Sequence, residues 1–305
     1  MAVDHYENFP VASILLPRRL RVPVSNIYRY ARSADDIADE GTASSGARLE
    51  QLAGYRQALQ QMQAGRLDLP PGDPRRIIFE PLFATIRQFS LPWAPFFDLL
   101  SAFEQDILTT RYPDQAALLD YCSRSANPVG RLMLHLYDAA SPRNLAEADA
   151  ICTGLQLVNF WQDVAVDWEK SRVYLPQDKL RHYGVTEAFI AARAGQARAA
   201  AASALLPPSA GSAYIPAEAA WRALMQARVQ QARELLLLGL PLTRRLPVRP
   251  GFELRLVVQG GLRILERLDQ LHYDIFLNRP TLQKHDWVLL LWRALRSPTP
   301  ETGIT

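Results

Sequence analysis

The stretch LQLVNFWQDVAVD, residues 155 to 167, limits the possible folds more than any other part of the chain. Eight of its side chains are apolar: Leu155, Leu157, Val158, Phe160, Trp161, Val164, Ala165 and Val166. Between them stand Gln156, Asn159, Asp163 and Asp167, and steps of three, four and four residues put these on one helical face, with Gln162 off the line. A helix that is apolar nearly all round belongs in a protein interior. Carboxylates held there need a counter-charge, because an unpaired buried charge is strongly destabilising. The pattern predicts a central helix whose acidic stripe lines an internal wet cavity.

The rest of the chain is consistent with such a helix. Turn signals at GTASSG, DLPPGDP, SPRN, LPPSAGSAY and LPVRPG separate long stretches rich in Ala, Leu, Arg and Gln with helical spacing of apolar residues. Alternating β-branched runs are few, so an all-α fold is expected. No long linker or internal repeat divides the 305 residues, which predicts a single domain with a surface excursion at about 191–215. Thirty-four Lys and Arg against 31 Asp and Glu leave a net charge of +3, which gives no electrostatic footprint for nucleic acid. Cys122 and Cys152 lack CxxC or Cys/His spacing, which argues against disulfides and zinc and fits a cytoplasmic protein. Asp4 and Glu7 stand where a signal peptide would place basic and apolar residues, and no apolar run is long enough to span a bilayer. HDWVLLLWRALR, near the end, reads either as a packed terminal helix or as a membrane-surface helix.

A second stripe lies in SNIYRYARSADDIADE, residues 25 to 40, where Tyr28, Arg32, Asp35 or Asp36, and Asp39 share a face opposite Val24, Ile27, Ala31, Ala34 and Ala38. Alone it would read as a solvated surface. Two acidic stripes together narrow the chemistry. Glycoside hydrolysis asks for one acid and one base, not two carboxylate clusters. A di-iron bundle would show Glu three residues before His, and none of the five histidines has it. No glycine-rich phosphate loop is present. Oxygen-only ligands suit a hard cation such as magnesium, which takes one or two carboxylates and completes its shell with water and phosphate.

At these residues the chain resembles the squalene and phytoene synthase family of head-to-head prenyl synthases, over nearly its whole length. YARSADDIADE and QLVNFWQDVAVDWEKSRVYLP are similar to the family's two acidic motifs, and YCSRSANPVGRLML to its substrate-channel helix. The opening HYENFPVAS, with VNFWQDVAVDWEK, is most like the hydroxysqualene synthase branch of bacterial hopanoid pathways. The resemblance implies an isoprenoid synthase fold around a central cavity, a prenyl diphosphate substrate, Mg2+ as cofactor, and peripheral membrane contact at most. It implies metal ligation by Asp35, Asp36, Asp39, Asn159, Asp163 and Asp167, and phosphate anchoring by Arg32. Tyr28, Tyr121 and Tyr174 would steady a carbocation, and Gln156, Ala126, Val129 and Gly130 would line the substrate's path. Small residues at the last three positions equally suit close helix packing. His5, Tyr6, Asn8 and Phe9 would contact substrate or position the quenching water, or simply cap the cavity.

Three positions depart from the family pattern. Glu7 takes the place of a positive phosphate ligand, Gln162 that of an arginine, and Gly261 that of a late tyrosine. These losses suit a branch that handles one diphosphate. Hydroxysqualene formation from presqualene diphosphate is the resulting expectation. The alternatives are phytoene or presqualene diphosphate synthesis, or a non-catalytic assembly factor of the same helical shell, which would have no reason to keep both stripes.

Overall fold

The structure is a computed structural model and describes residues 16–202 and 214–296. These form helices α1 (Arg18–Asp39), α2 (Ser45–Gln63), α3 (Arg76–Phe89), α4 (Ala94–Leu108), α5 (Gln115–Ser125), α6 (Asn127–Leu136) and α7 (Pro142–Gln162). They continue with α8 (Val164–Glu169), α9 (Gln177–Tyr183), α10 (Glu187–Ala202), α11 (Tyr214–Gly239), α12 (Leu242–Arg245), α13 (Val248–Gln270) and α14 (Asp286–Arg296). Among the described residues there is no strand, and one isolated bridge joins Arg111 and Val173. The chain is all-α, as its periodicity requires. Its Ala-rich stretch beyond Ala191 is helical as far as Ala202, in keeping with alanine's helix propensity, and helix resumes at Tyr214. Residues 203–213 lie outside the described residues.

Helix limits follow local chemistry. The Ser44 hydroxyl accepts from the Ala47 N–H and caps α2. Gly184, at φ 71°, takes the left-handed conformation that ends α9. Pro128 explains a break that the channel-helix reading did not contain: it has no N–H to donate to the Arg124 carbonyl and suits the first turn of a new helix, so α5 and α6 are separate helices. Tyr121 stands on α5, whereas Val129 and Gly130 stand on α6 with Ala126 at its N-cap.

The described residues pack as two compact units, the first comprising those up to Thr109, Tyr121–Cys152 and Leu242–Glu253. In it α1 lies against α2, α3 and α4. Tyr30, fully buried, sits among the rings of Tyr55, Phe79 and Phe96 and donates its hydroxyl to the Phe96 carbonyl at 2.9 Å. Each such buried ring is worth about 1.5–3 kcal/mol in apolar transfer. The Asn26 amide, buried on α1, donates to the Thr85 hydroxyl of α3 at 3.0 Å, which fixes the rotation of α1 and hence the direction of its acidic stripe.

The second unit takes Thr110–Asp120, Thr153–Pro241 and the chain from Leu254 onward. Trp221 of α11 is buried against Phe189 and Phe276, and its indole N–H donates to the Tyr273 carbonyl at 2.9 Å. Leu236 fills the space left by two glycines: a Cβ on Gly154 of α7 would come within 3.0 Å of it, and one on Gly261 of α13 within 3.1 Å. Helix α14 is fastened to α13 through Asp286, which is fully buried. Burial alone would raise the Asp286 pKa, but the Gln283 N–H and the Arg263 and Arg267 guanidiniums outweigh it and bring it down to about 2.

Candidate active site

The first stripe is carried by one uninterrupted helix. Along α1, Val24, Ile27, Ala31, Ala34 and Ala38 are buried, while Tyr28, Arg32, Asp35 and Asp36 are half-buried and Asp39 is exposed. Arg32 gathers the acids around it: its guanidinium reaches Asp35 at 3.1 Å, Asp36 at 2.8 Å and Glu40 at 2.8 Å. Desolvation works against that charge, yet Asp36, Asp35 and Glu40 prevail and raise the Arg32 pKa. The residue expected to anchor phosphate therefore serves first as the counter-ion of its own carboxylates.

The second stripe is built differently. Leu157, Val158, Phe160, Trp161 and Val164 are buried and Gln156, Asn159, Asp163 and Asp167 half-buried, but Leu155 and Ala165 are also half-buried and Val166 is exposed, so the helix is less enclosed than its apolar pattern predicts. The helix is not continuous, however. Helix α7 ends at Gln162, and Asp163, at φ −109° and ψ 13°, stands between it and α8. That bridge conformation is sparsely populated and recurs at active sites. Backbone hydrogen bonding carries on across the break, with Asp163 N–H donating to Asn159 at 2.9 Å and Asp167 N–H to Asp163 at 2.8 Å. The acids thus stay a turn apart while Asp163 is re-aimed.

Asp163 has a partner that the sequence did not reveal. Arg279, in the loop between α13 and α14, grips it with two nitrogens at 2.5 and 3.0 Å. Next to it the Gln162 amide donates to the Pro280 carbonyl at 2.6 Å. Gln162 is thus a tie for the segment that brings Arg279 in. Arg279 lies 116 residues from Asp163 in an irregular loop, and neither spacing nor a motif marks it.

The tyrosines and small residues are more constrained than expected. The Tyr121 hydroxyl donates to Asp106 at 3.0 Å. Tyr174 stacks on Phe160 with centroids 3.8 Å apart and planes within 9°, so that face of its ring is closed to a cation. Gly130 serves packing: a Cβ there would meet the Cys152 sulfur at 2.7 Å and Ala148 at 3.4 Å. Ala126 and Val129 are half-buried. At Gly261 a Cβ would meet Leu155 at 2.9 Å, so the space that a tyrosine would need is filled by leucines. His5, Tyr6, Asn8 and Phe9 lie outside the described residues.

The donor set fits a hard cation: carboxylates and an amide, spaced by helical turns, with no soft ligand among them. Among the described residues no three Asp, Glu, His or Cys groups converge as a ready-made metal cage. Magnesium does not require one, since water and substrate phosphate complete its shell. A shallow concavity of about 750 Å³ lined by Tyr183, Gln226, Arg233 and Asp269 contains none of the stripe residues. Cys122 and Cys152 are free thiols. Among the described residues no helix is long and apolar enough to cross a membrane.

Comparison with known proteins gives a consistent picture. The family model for squalene/phytoene synthase matches residues 2–286. A hydroxysqualene synthase from Zymomonas mobilis is 35% identical over 182 residues, 59% of this chain and 58% of that protein. A phytoene synthase from Cereibacter sphaeroides is 34% identical over 215 residues, 70% of this chain and 60% of its own. The chain thus spans less than two thirds of the length of these relatives. The crystal structure of squalene synthase HpnC from Alicyclobacillus acidocaldarius superposes with a TM-score of 0.72 at 31% identity, covering 88% of this chain and 90% of that one.

Proposed function

We propose, on the premise that the chain belongs to the squalene/phytoene synthase family, that it converts presqualene diphosphate and water to hydroxysqualene and diphosphate. The observation that carries this is the second stripe, intact in its four polar positions while Gln162 and Gly261, where relatives hold diphosphate with Arg and Tyr, are committed to packing. Similarity to hydroxysqualene synthases supports it further.

Asp35, Asp36, Asp39, Asn159, Asp163 and Asp167 would hold magnesium, which neutralises charge on the departing diphosphate. Arg32 would share its guanidinium between its carboxylates and a phosphate oxygen. The C–O bond to diphosphate breaks, the cyclopropylcarbinyl cation rearranges among apolar walls, and a water oxygen closes onto carbon with loss of one proton. Tyr28 and Tyr121 would contribute ring or hydroxyl dipoles to that cation, Tyr174 only through the face not taken by Phe160. Gln156, Ala126, Val129 and Gly130 would border the substrate's path, and His5, Tyr6, Asn8 and Phe9 would meet substrate or the quenching water. The long apolar chains of a prenyl diphosphate and of its alcohol product partition into bilayers, so peripheral membrane contact belongs to the same proposal.

A second reading, synthesis of phytoene or presqualene diphosphate, draws on the similarity to a phytoene synthase over a larger share of the chain. Incubating purified protein and magnesium separately with presqualene diphosphate and farnesyl diphosphate, without reduced nicotinamide, separates the two. Hydroxysqualene from presqualene diphosphate alone, identified by mass spectrometry, is expected. Phytoene-like or cyclopropyl products would overturn it.

A further inference from the structure

Helix α14 is amphipathic the wrong way round for a surface helix. Its inward side is Asp286, Leu290 and Ala294, and the charged contacts there are made to α13: Arg263 and Arg267 reach Asp286 at 2.8 and 2.6 Å, Arg293 reaches Glu266 at 2.6 Å, and Arg255 donates to the Ala294 carbonyl at 3.1 Å. Its outward side is Trp287, Val288, Leu291, Trp292 and Leu295, between 44% and 74% exposed. A surface helix ordinarily buries the apolar stripe and shows the charges. Here the ion pairs hold the helix in place and the apolar stripe is presented outward.

We infer that this face of α14 is a docking surface for the interfacial region of a lipid bilayer carrying anionic headgroups. At roughly 100° per residue, Leu291, Leu295 and Val288 form the centre of an arc of roughly 140°, and Trp287 and Trp292 form its two edges. Aliphatic residues in the middle and indoles at the margins match the depth profile of a bilayer surface, where tryptophan concentrates at headgroup level. Arg296 follows beyond the Trp292 edge, with its guanidinium 4.8 Å from that ring, and Lys284 and His285 are exposed just before the helix. The one carboxylate of the helix, Asp286, is buried and neutralised, so the charge offered outward is positive and complements anionic lipid.

Other occupants fit less well. A strip of five apolar residues falls short of the roughly 20–30 residues a side of a stable protein interface.

This surface rests on the peripheral-contact part of the proposed function and on none of its chemistry, and binding is read without turnover. The full chain is floated with vesicles of phosphatidylcholine containing about one-third phosphatidylglycerol, and its mass is measured by light scattering in their absence. The wild type should float, pure phosphatidylcholine should retain less of it, and Leu291→Glu/Leu295→Glu should lower vesicle affinity at least about tenfold with an unchanged melting temperature. Trp287→Ala/Trp292→Ala should give a smaller loss of the same sign. A wild type that stays at the bottom of the gradient overturns the inference, as does flotation that the glutamates leave unchanged. A dimer dispersed by the glutamates would identify a second copy as the occupant and refute it, and a lowered melting temperature without vesicle binding would do the same in favour of a segment of the chain itself.

Discussion

The two acidic stripes hold similar residues and are neutralised in opposite ways. On α1 the counter-charge is local: Arg32 lies three and four positions before Asp35 and Asp36 on the same unbroken helix, and eight before Glu40 at its C-cap. At the α7–α8 junction it is remote, supplied by Arg279 from a loop, and the helix breaks at the acid it meets. A local pair costs little side-chain ordering and is formed with the helix. A remote pair depends on the loop being in place, and here Gln162 helps to put it there. The first stripe is thus a feature of one helix and the second a feature of the tertiary fold.

Substitutions separate the two descriptions, beginning with the largest effect. If Asp163 ligates the metal as proposed, Asp163→Asn should lower magnesium-dependent turnover by about a thousandfold and leave the circular dichroism spectrum unchanged, since the amide keeps the size of the carboxylate. Turnover within a few-fold of wild type would show that the remote stripe is structural. Gly261→Tyr should cost about 3 kcal/mol in denaturant unfolding because Leu155 and Leu236 fill that space. A neutral effect would mean that the packing beneath the second stripe is loose.

Arg32→Ala should weaken binding of a non-reactive diphosphate analogue about tenfold, or about 1.4 kcal/mol, measurable by calorimetry. Unchanged affinity would confine Arg32 to balancing its own helix. The smallest effect is expected of Arg279→Gln. Its ion pair with Asp163 is half-exposed on the arginine side, so unfolding without metal should shift by only about 0.5 kcal/mol. Binding of magnesium in that variant should become tighter, because the cation no longer displaces a bidentate guanidinium. Weaker binding would make Arg279 a helper of the metal site and not its competitor.

What the sequence discloses follows the same line between local and remote. The helices, the buried face of α1 and the acidic stripes were legible because each is a periodicity within one element. The Arg32 cluster follows from spacing on that helix. The break before α6 had a signal in Pro128, whose missing N–H suits the first turn of a new helix, although the same residues also read as one channel helix. The break at Asp163 had none, since nothing in FWQDVAV disfavours helix. Arg279 and the leucines around Gly261 were not legible, because they come from chain segments brought in by the fold. The face of α14 was visible as a pattern, but periodicity does not tell which side of a helix the protein covers.

The measurement closest to the central claim is a manganese titration followed by electron paramagnetic resonance, in the presence of inorganic diphosphate. It would compare the wild type with Asp163→Asn and with Asp35→Asn/Asp39→Asn. If both stripes ligate metal, the wild type binds manganese and each variant loses part of that binding, with its fold intact. Binding that neither variant diminishes would contradict the assignment of the stripes as metal ligands, whatever products the protein makes.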